Sequence, residues 1–566
     1  MDAKWGNVPV RAVFFSIPGL DFVPTRDYNF QTCSLMNAEL LNIIYPVSRS
    51  AVGGDRWDAV VAAADAAAGP DALFGVLRAA AGGGLPAYLH DLLRTEHALW
   101  LLGKRAADVP ASVEELSVNP TVSVSEVPWR GLLGLFEPAP GLAAIPVEGR
   151  ERVLLWFDPR SGKARIRPAV NDDLLALKMA AEGIPAETVA AEGGVAVGAV
   201  EGVVERAVRQ GLLLAPPSKL RRDPSVFTAG RPGDEEFLSS DSFTLQWHIT
   251  QVCDLRCKHC YDRSDRSPLS LDQAVRVLDD LHAFCRDRRV RGAVSFTGGN
   301  PLLHPQFNEI YRAAADRGFG TAILGNPAPR GRIEEITAIQ EPAFFQVSLE
   351  GLREHNDSIR GAGHFDRVMQ FLDVLRDLGI YSMVMLTLTH DNTDEVIPLA
   401  ELLRGKTDMF NFNRLAQFGE GANLALPDRR TYRTFLEAYL KAAETNPVMG
   451  IKDNLFNVLR REKGIELFGG CAGYGCGAAF NFVSLLADGE VHACRKLPSP
   501  IGNLHRRSLA EIYDSDEARR YRMGPAACRG CDVRPACGGC LASAMSSGLN
   551  IFEDRDPFCF RGSDGV

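Results

Sequence analysis

Three cysteines stand close together in the stretch CDLRCKHCYD, which begins at Cys253 and has the spacing CxxxCxxC. Haem attachment through CxxCH is excluded, because Cys260 is followed by Tyr261. A structural zinc ion needs four ligands, and His259 is poorly placed between two of the cysteines. Thiolates are the usual ligands of a [4Fe–4S] cluster, and three of them leave one iron open. The spacing therefore predicts an iron–sulfur cluster whose open iron binds another molecule.

A second group of cysteines lies in the segment 469–566. Its members are Cys471, Cys476, Cys494, Cys528, Cys531, Cys537, Cys540 and Cys559. Eight thiolates are enough for two fully ligated [4Fe–4S] clusters or for two zinc ions with four cysteines each, and the spacing alone leaves both open. Cys33 and Cys285 stand apart from both groups. The helical spacing of Cys285 with Leu278 and Leu281 indicates a buried structural residue.

The bulk properties of the chain exclude several classes of protein. The 566 residues carry a formal net charge of −9, which gives no support for general binding to nucleic acids or membrane surfaces. No apolar run approaches the roughly 18 residues of a transmembrane helix, and the first residues lack the pattern of a signal peptide. We therefore expect a cytoplasmic protein. Its cysteines should be reduced, so their clustering indicates metal ligation rather than disulfides.

The elements that position the three cysteines follow a repeating strand and helix pattern. Six apolar strands are predicted at 242–250, 292–297, 320–326, 343–350, 381–389 and 409–415. Helical segments alternate with them, and one of these helices opens with the capping box Ser270 to Gln273. The pattern predicts an α/β fold with a parallel sheet that curls into a partial (β/α)6 barrel. CDLRCKHC and TGGNP each follow a strand, where functional loops of such a barrel lie.

The remaining parts of the chain differ in composition. We divide it into a helical region at 1–149, a winged-helix-like unit at 150–215, a linker at 216–240, the barrel at 241–425, a helical bridge at 426–468 and the cysteine-rich tail at 469–566. The second part begins with the hairpin sequence RVLLWFDPRSGKARIRP, and Asn171 is predicted as the N-cap of the helix that follows it. Loops are predicted at 82–84 and 137–146 from their glycines and prolines.

With an aromatic residue after CxxxCxxC at the end of the first barrel strand, the pattern over 241–425 resembles the radical SAM superfamily. This resemblance implies that S-adenosylmethionine (SAM) binds the open iron through its amino and carboxylate groups. It further implies that an electron from the cluster cleaves SAM, and that the resulting 5′-deoxyadenosyl radical abstracts a hydrogen atom from the substrate.

The resemblance also assigns residues to the cofactor. Positions that match cofactor contacts are Tyr261, Gly298, Gly299, Asn300, Pro301, Ser348, Glu350, Asn392 and Arg414, with Thr389 at the end of the fifth strand. Tyr261 would lie beside the adenine, and Ser348 and Glu350 would meet the ribose hydroxyls. The sequence GGNP replaces the family motif GGEP, so Asn300 would accept a hydrogen bond from the SAM amino group without a negative charge.

The tail resembles a SPASM domain. It departs from the family pattern at one place, since two residues rather than three separate Cys537 from Cys540. By that resemblance, one auxiliary cluster would use Cys471, Cys476, Cys494 and Cys540. The other would use Cys528, Cys531, Cys537 and Cys559. With the barrel cluster this makes three [4Fe–4S] clusters, and the filled ligand sets favour electron transfer over direct binding of substrate. No general base is identified, since Arg495 rather than an acid follows Cys494.

These resemblances imply a peptide maturase. The protein would bind the leader of a ribosomally made precursor peptide at 150–215, where a strand could add to the hairpin edge, and the basic run from Arg152 to Arg167 would suit an acidic leader. A core residue would then be crosslinked or oxidised, with electrons from flavodoxin or ferredoxin. The GGNP variant and the region 1–149 suggest the selenobiotic or thio(seleno)oxazole type.

Two other interpretations remain open. One is an enzyme that matures a folded protein, as anaerobic sulfatase-maturing enzymes do. The other is a multi-cluster electron-transfer protein without radical chemistry, which would need neither TGGNP nor an open cluster. The peptide, the residue attacked and the bond formed are not specified by the sequence.

Overall fold

The computed structural model describes residues 38–65, 85–136, 145–228 and 230–561. They fold into two compact units, the first ending at Pro217 and the second beginning at Ser218. Cys33, the predicted loop at 82–84 and most of the loop predicted at 137–146 lie outside the described residues. Among the helices described, none combines the length and the apolar character that crossing a bilayer requires.

The first unit contains short helices and a small sheet. Its helices are α1 Ala38–Ile44, α2 Pro46–Val52, α3 Gly54–Asp65, α4 Leu89–Leu102, α5 Asn171–Glu182, α6 Ala186–Gly193 and α7 Val197–Arg209. Its strands are β1 Ser117–Val118, β2 Ser123–Arg130, β3 Val147–Asp158, β4 Lys163–Pro168 and β5 Leu213–Leu214. The strands β2, β3 and β4 form an antiparallel sheet in that order, and β1 pairs with β5.

The structure changes the predicted start of the winged-helix-like unit. Strand β3 runs across the boundary placed between residues 149 and 150, and its other neighbour is β2, which was not predicted. A register shift between Val127 and Trp129 surrounds Pro128, which has no N–H to donate to the ladder. The N-cap assignment of Asn171 is also wrong by one residue, since Val170 holds that position and its N–H donates to Asp173 at 2.9 Å.

The second unit contains the predicted barrel sheet. Six parallel strands lie side by side in chain order: β6 Ser242–Thr250, β7 Arg291–Gly298, β8 Gly320–Leu324, β9 Phe345–Ser348, β10 Ser382–Leu388 and β11 Met409–Arg414. The crossover helices are α8 Leu271–Arg288, α9 Phe307–Asp316, α10 Arg330–Thr337, α11 Arg353–Arg360, α12 His364–Asp377 and α13 Val396–Leu402. Ser270 and Gln273 form the predicted capping box of α8. The prediction of a partial (β/α)6 barrel is confirmed.

The barrel sheet does not stop at β6. Strands β12 Phe482–Leu485, β13 Glu490–His492 and β14 Pro500–Asn503 come from the cysteine-rich tail and extend the sheet. Strand β12 pairs in parallel with β6, with Ser484 opposite Gln246. Cys494 therefore follows the hairpin of β12 and β13. That hairpin belongs to the same sheet as β6 and β7, the strands that are followed by CDLRCKHC and TGGNP.

The predicted linker and bridge are folded parts of the second unit. From Ser218 onward the linker packs inward, with Leu220 and Phe237 buried in the core. The bridge contains α14 Arg429–Ala443 and α15 Phe456–Glu462, and the tail helices are α16 Leu509–Tyr513, α17 Asp516–Met523 and α18 Leu541–Ser546. The buried guanidinium of Arg222 donates to the carbonyl oxygens of Tyr474 and Cys476 at 2.8 Å each. The linker segment thereby holds the backbone at Cys476, which is a predicted ligand of an auxiliary cluster.

Candidate active site

A cavity of about 370 Å³, which we call the barrel cavity, lies at the carboxyl ends of the parallel strands. All three cysteines of CDLRCKHC border it. Of the predicted cofactor contacts, Tyr261, Gly298, Gly299, Ser348 and Arg414 also border it. Asn300, Pro301, Glu350, Thr389 and Asn392 do not border it.

Asn300 contacts the cysteine loop rather than the cavity. Its side-chain amide donates to the carboxylate of Asp254 at 3.0 Å, and its carbonyl oxygen accepts the N–H of Leu302 at 3.3 Å. Asn326 donates to the same Asp254 oxygen at 2.6 Å and lies 3.6 Å from the sulfur of Cys253. Sequence reasoning missed Asn326 because the predicted strand 320–326 included it, whereas the strand in the structure ends at Leu324 and leaves Asn326 in the loop that follows.

The glycine pair lets strand β7 approach the backbone of the cysteine loop. Gly298 has φ +123°, and an added Cβ would overlap the carbonyl oxygen of Thr250. A Cβ on Gly299 would overlap the carbonyl oxygen of Val252. The N–H of Gly299 donates to Thr250 at 2.8 Å and that of Asn300 donates to Val252 at 2.7 Å. Both glycines were predicted to contact the cofactor, and the close approach that they allow in the structure is to the backbone of Thr250 and Val252.

Glu350 is a buried anchor for the cysteine loop. Its carboxylate accepts from Arg360 at 2.5 Å and from the N–H of Thr387 at 2.7 Å, and it lies 3.3 Å from His259. Burial alone would raise the pKa of Glu350, but His259 and Arg360 hold it well below its usual value. Arg360 also lies 3.7 Å from the sulfur of Cys257. Ser348 borders the barrel cavity, so its predicted contact with the ribose stays a prediction. Glu350 instead positions the cysteine loop.

Tyr261 borders the barrel cavity, and its hydroxyl contacts a buried histidine. Its hydroxyl lies 2.9 Å from Nε2 of His248, a buried residue of strand β6. Burial raises the pKa of the Tyr261 hydroxyl above its usual range and lowers that of His248 to about 3, so both groups are neutral. The ring is thus fixed at the cavity wall, and its position beside the adenine stays a prediction.

Asn392 and Arg414 have all their polar groups engaged by protein. The amide of Asn392 donates to the carbonyl oxygens of Glu350 and Thr387 at 2.8 and 2.9 Å, and its oxygen accepts the N–H of Thr389. It therefore joins the ends of strands β9 and β10. The guanidinium of Arg414 donates to two buried carboxylates (discussed below), which leaves it little capacity for a cofactor.

Two further cavities collect the cysteines of the tail. The near tail cavity, of about 50 Å³, is bordered by Cys471, Cys476, Cys494 and Cys540. The far tail cavity, of about 270 Å³, is bordered by Cys528, Cys531, Cys537 and Cys559. The structure thus groups the eight cysteines into the two sets that the SPASM resemblance implies. Among the described residues, no three His, Cys, Asp or Glu side chains are arranged for a single metal ion.

The chemistry of these sets fits a metal cluster. Burial raises the pKa of Cys476 to about 12 and that of Cys494 to about 11, and it raises the pKa of Cys528 to about 11. Thiols in such surroundings stay protonated unless a bound metal supplies positive charge and displaces the protons. The donor sets therefore suit iron–sulfur clusters, and the assignment of each cysteine as a ligand remains a proposal.

Known proteins share this combination of motifs. Residues 247–403 match the radical SAM superfamily, and residues 476–532 match SPASM, an iron–sulfur cluster-binding domain. The AdoMet-dependent heme synthase of Methanosarcina barkeri is 25% identical over 56% of this chain and 95% of its own length. The mycofactocin maturase MftC of Mycolicibacterium smegmatis is 27% identical over 56% of this chain and 82% of its own.

Two further likenesses are to a bacteriocin biosynthesis protein and to a solved structure. The antilisterial bacteriocin subtilosin biosynthesis protein AlbA of Bacillus subtilis is 25% identical over 54% of this chain and 70% of its own. The structure of Streptococcus suis SuiB bound to precursor peptide SuiA covers 72% of this chain and 96% of its own at 16% identity. The TM-score of this match is 0.47. The domain matches and the site geometry agree, and we conclude that the chain contains a radical SAM domain at residues 247–403 and a SPASM iron–sulfur cluster-binding domain at residues 476–532.

Proposed function

We propose that this enzyme matures a ribosomally made precursor peptide by modifying a residue of its core. The observation that carries the proposal is the adjacency of two cysteine cavities. The barrel cavity and the near tail cavity share three bordering residues, Asn413, Arg414 and Lys496. A substrate in the barrel cavity would therefore lie beside a second redox site. Such an arrangement suits an oxidation in which the substrate gives up an electron after losing a hydrogen atom.

The proposed cofactors are SAM and three [4Fe–4S] clusters. Cys253, Cys257 and Cys260 would hold the first, and the two tail sets would hold the others. Bound there, SAM and the first cluster would supply the radical that abstracts hydrogen, while the protein positions and shields the site. Flavodoxin or ferredoxin would reduce the enzyme, and we place the reaction in the cytoplasm, where the thiols stay reduced.

The three-stranded sheet of the first unit supports a peptide as the substrate. Strand β4 pairs with β3 on one side, and within the described residues it has no strand on the other. An edge of this kind accepts an extended peptide as an added strand. The charge argument for an acidic leader is weaker than the sequence suggests, because Arg165 lies 3.7 Å from Asp158 and Arg167 pairs with Asp173 at 2.6 Å. The maturase and bacteriocin-biosynthesis relatives are in line with this substrate.

A porphyrin is the second candidate substrate, and the heme synthase relative favours it. The two candidates differ in what the first unit does, since a porphyrin enzyme has no use for an edge strand that captures a leader. Maturation of a folded protein and pure electron transfer remain as the other interpretations.

Co-expression with short peptides encoded beside the gene tests the proposal. We expect one peptide to change mass only when the intact enzyme is present, and we expect reconstituted enzyme with dithionite to release 5′-deoxyadenosine from SAM. A Cys257→Ala variant should abolish both. SAM cleavage without any peptide product, together with turnover of a porphyrin, would favour the second candidate. Absence of SAM cleavage would leave only electron transfer.

A further inference from the structure

The charges that border the barrel cavity are strongly unequal. Its cationic residues are Arg256, Arg263, Arg360, Arg414, Arg495 and Lys496, whereas Asp262 is its acidic residue. Asp262 is already hydrogen-bonded to Gln251 at 2.9 Å and to Ser264 at 2.6 Å. The cavity therefore has an excess of positive charge in a protein whose formal net charge is −9.

Three of these cations are neutralised by the protein. Arg360 pairs with Glu350 at 2.5 Å, and Arg414 pairs with two carboxylates. Arg263 is exposed and has Glu420 at 4.0 Å. Because their charges are paired within the protein, these three side chains do not indicate a bound anion.

Arg495 and Lys496 are different. Both are partly buried, and within the part of the chain that the structure describes neither forms an ion pair with a carboxylate. The hydrogen bond that Arg495 makes is a long one, 3.3 Å, to the hydroxyl of Thr297 at the end of strand β7. Burial raises the pKa of the Cys494 thiol and the positive charge of Lys496 lowers it, so a thiolate there would offset part of the Lys496 charge. Arg495 is half-buried with no carboxylate partner among the described residues, which is unfavourable unless a ligand supplies an anion.

Their place in the chain sets the position of that anion. The two residues directly follow Cys494 and border the barrel cavity, and Lys496 also borders the near tail cavity. Lys452 borders the near tail cavity but not the barrel cavity, so it is placed to offset the thiolates of that set. Arg495 borders the barrel cavity and not the near tail cavity, which points it at the contents of the barrel.

We propose that Arg495 and Lys496 form a carboxylate-binding subsite for the substrate, between the barrel cavity and the near tail cavity. This inference rests on the proposed function and narrows it: the peptide segment that enters the cavity carries an Asp or Glu side chain or a free carboxyl terminus. A guanidinium binds a carboxylate through two parallel hydrogen bonds, and an ammonium group adds a point charge. The pair would thus hold the reacting residue at a fixed distance from both cysteine sets.

Binding of matched peptides tests the subsite without knowledge of the natural precursor. The probes are the nonapeptides Ac-GGAAEAAGG-NH2, its Gln twin, and Ac-GGAAAAAGG with a free carboxyl terminus. Anaerobic calorimetry on the reconstituted, SAM-loaded enzyme should give at least about tenfold tighter binding for one of the two anionic peptides than for the Gln twin. The anionic peptide that binds identifies the source of the carboxylate.

Variants assign the preference to these residues. In Arg495→Gln/Lys496→Gln the preference should fall to about twofold or less, whereas Arg256→Gln, an exposed cation of the same cavity, should retain it. Equal binding of all three peptides by the unmodified enzyme would overturn the proposal. This comparison does not depend on whether a variant folds. A preference that survives in the double variant would overturn it as well. A double variant that loses its affinity for SAM would also overturn it, since the cations would then serve the cofactor.

Release of 5′-deoxyadenosine is measured on the same samples. Its absence would count against the proposed radical enzyme, while the peptide comparison would still report on the subsite. Unchanged iron content and thermal unfolding of the double variant show that the cavity itself is intact.

Discussion

The guanidinium of Arg414 and the carboxylate of Asp556 form a two-pronged ion pair, with nitrogen–oxygen distances of 2.8 and 2.7 Å across 142 residues of sequence. The remaining Arg414 nitrogen donates to Asp453 at 2.7 Å. Asp556 also accepts the N–H of Cys540 at 2.7 Å. The end of strand β11 is thereby joined to a cysteine that borders the near tail cavity.

Replacing Arg414 should be costly. Arg414→Met leaves two buried carboxylates without their cation, and breaking such a buried pair typically lowers the free energy of unfolding by about 3–5 kcal/mol. Denaturant unfolding of the anaerobic, reconstituted protein measures the change. Arg376→Met is the matched control, because its pair with Asp373 is about half exposed and is expected to contribute at most about 1 kcal/mol. Equal losses in the two variants would contradict a special role for the buried pair.

The glycine pair gives a second prediction. In Gly299→Ala the new methyl group meets a backbone carbonyl that cannot move aside without displacing the cysteine loop. We expect a loss of about 2 kcal/mol or more in unfolding free energy and poor assembly of the cluster at that loop. Iron analysis and visible absorption after reconstitution measure the second effect. Gly320→Ala is the control, since nothing lies within 4 Å of its added Cβ, and a Gly299→Ala protein with full iron would refute the prediction.

Local patterns explain which parts of the fold were predictable. The six barrel strands were predicted from short apolar runs. The capping box of α8 was predicted from Ser270 and Gln273, which are three residues apart. The cysteine sets follow from spacing together with a family resemblance. Strand β2 was missed because Pro128 interrupts its alternation, and the tail strands β12 to β14 were missed because each has only three or four residues.

Long-range polar contacts explain what was not predictable in the site. The roles of Glu350, Asn392 and Arg414 depend on partners that no periodicity connects to them. A strand-end polar residue looks the same in the sequence whether it points at a cofactor or clamps a neighbouring loop. Asn300 and Asn326 illustrate this, since both donate to Asp254 and neither role can be read from TGGN or ILGN.

The tail sets give a prediction about cofactor content. If each set holds one [4Fe–4S] cluster, Cys494→Ser and Cys528→Ser should each remove roughly one third of the bound iron. Cys285→Ala is the control, because Cys285 lies on helix α8 with its side chain buried in the core, so its replacement should leave the iron content unchanged. Iron and zinc are quantified on protein reconstituted under anaerobic conditions. A loss of zinc with constant iron would mean that the tail binds zinc instead.

A buried histidine in the first unit gives a prediction about pH. Nδ1 of His97 lies 2.8 Å from the hydroxyl of Tyr45, and burial, with a contribution from Lys104, lowers the pKa of His97 from 6.5 to about 4. The unfolded chain therefore binds the proton more readily between these values. The first unit should lose stability as pH falls below 6.5, by about 1 kcal/mol at pH 5.5. Hydrogen exchange of helix α4 amides at pH 7.5 and 5.5, corrected for intrinsic rates, measures this loss. His97→Gln, which does not titrate, should show a correspondingly smaller change, and identical pH dependence in the two proteins would exclude His97 as the cause.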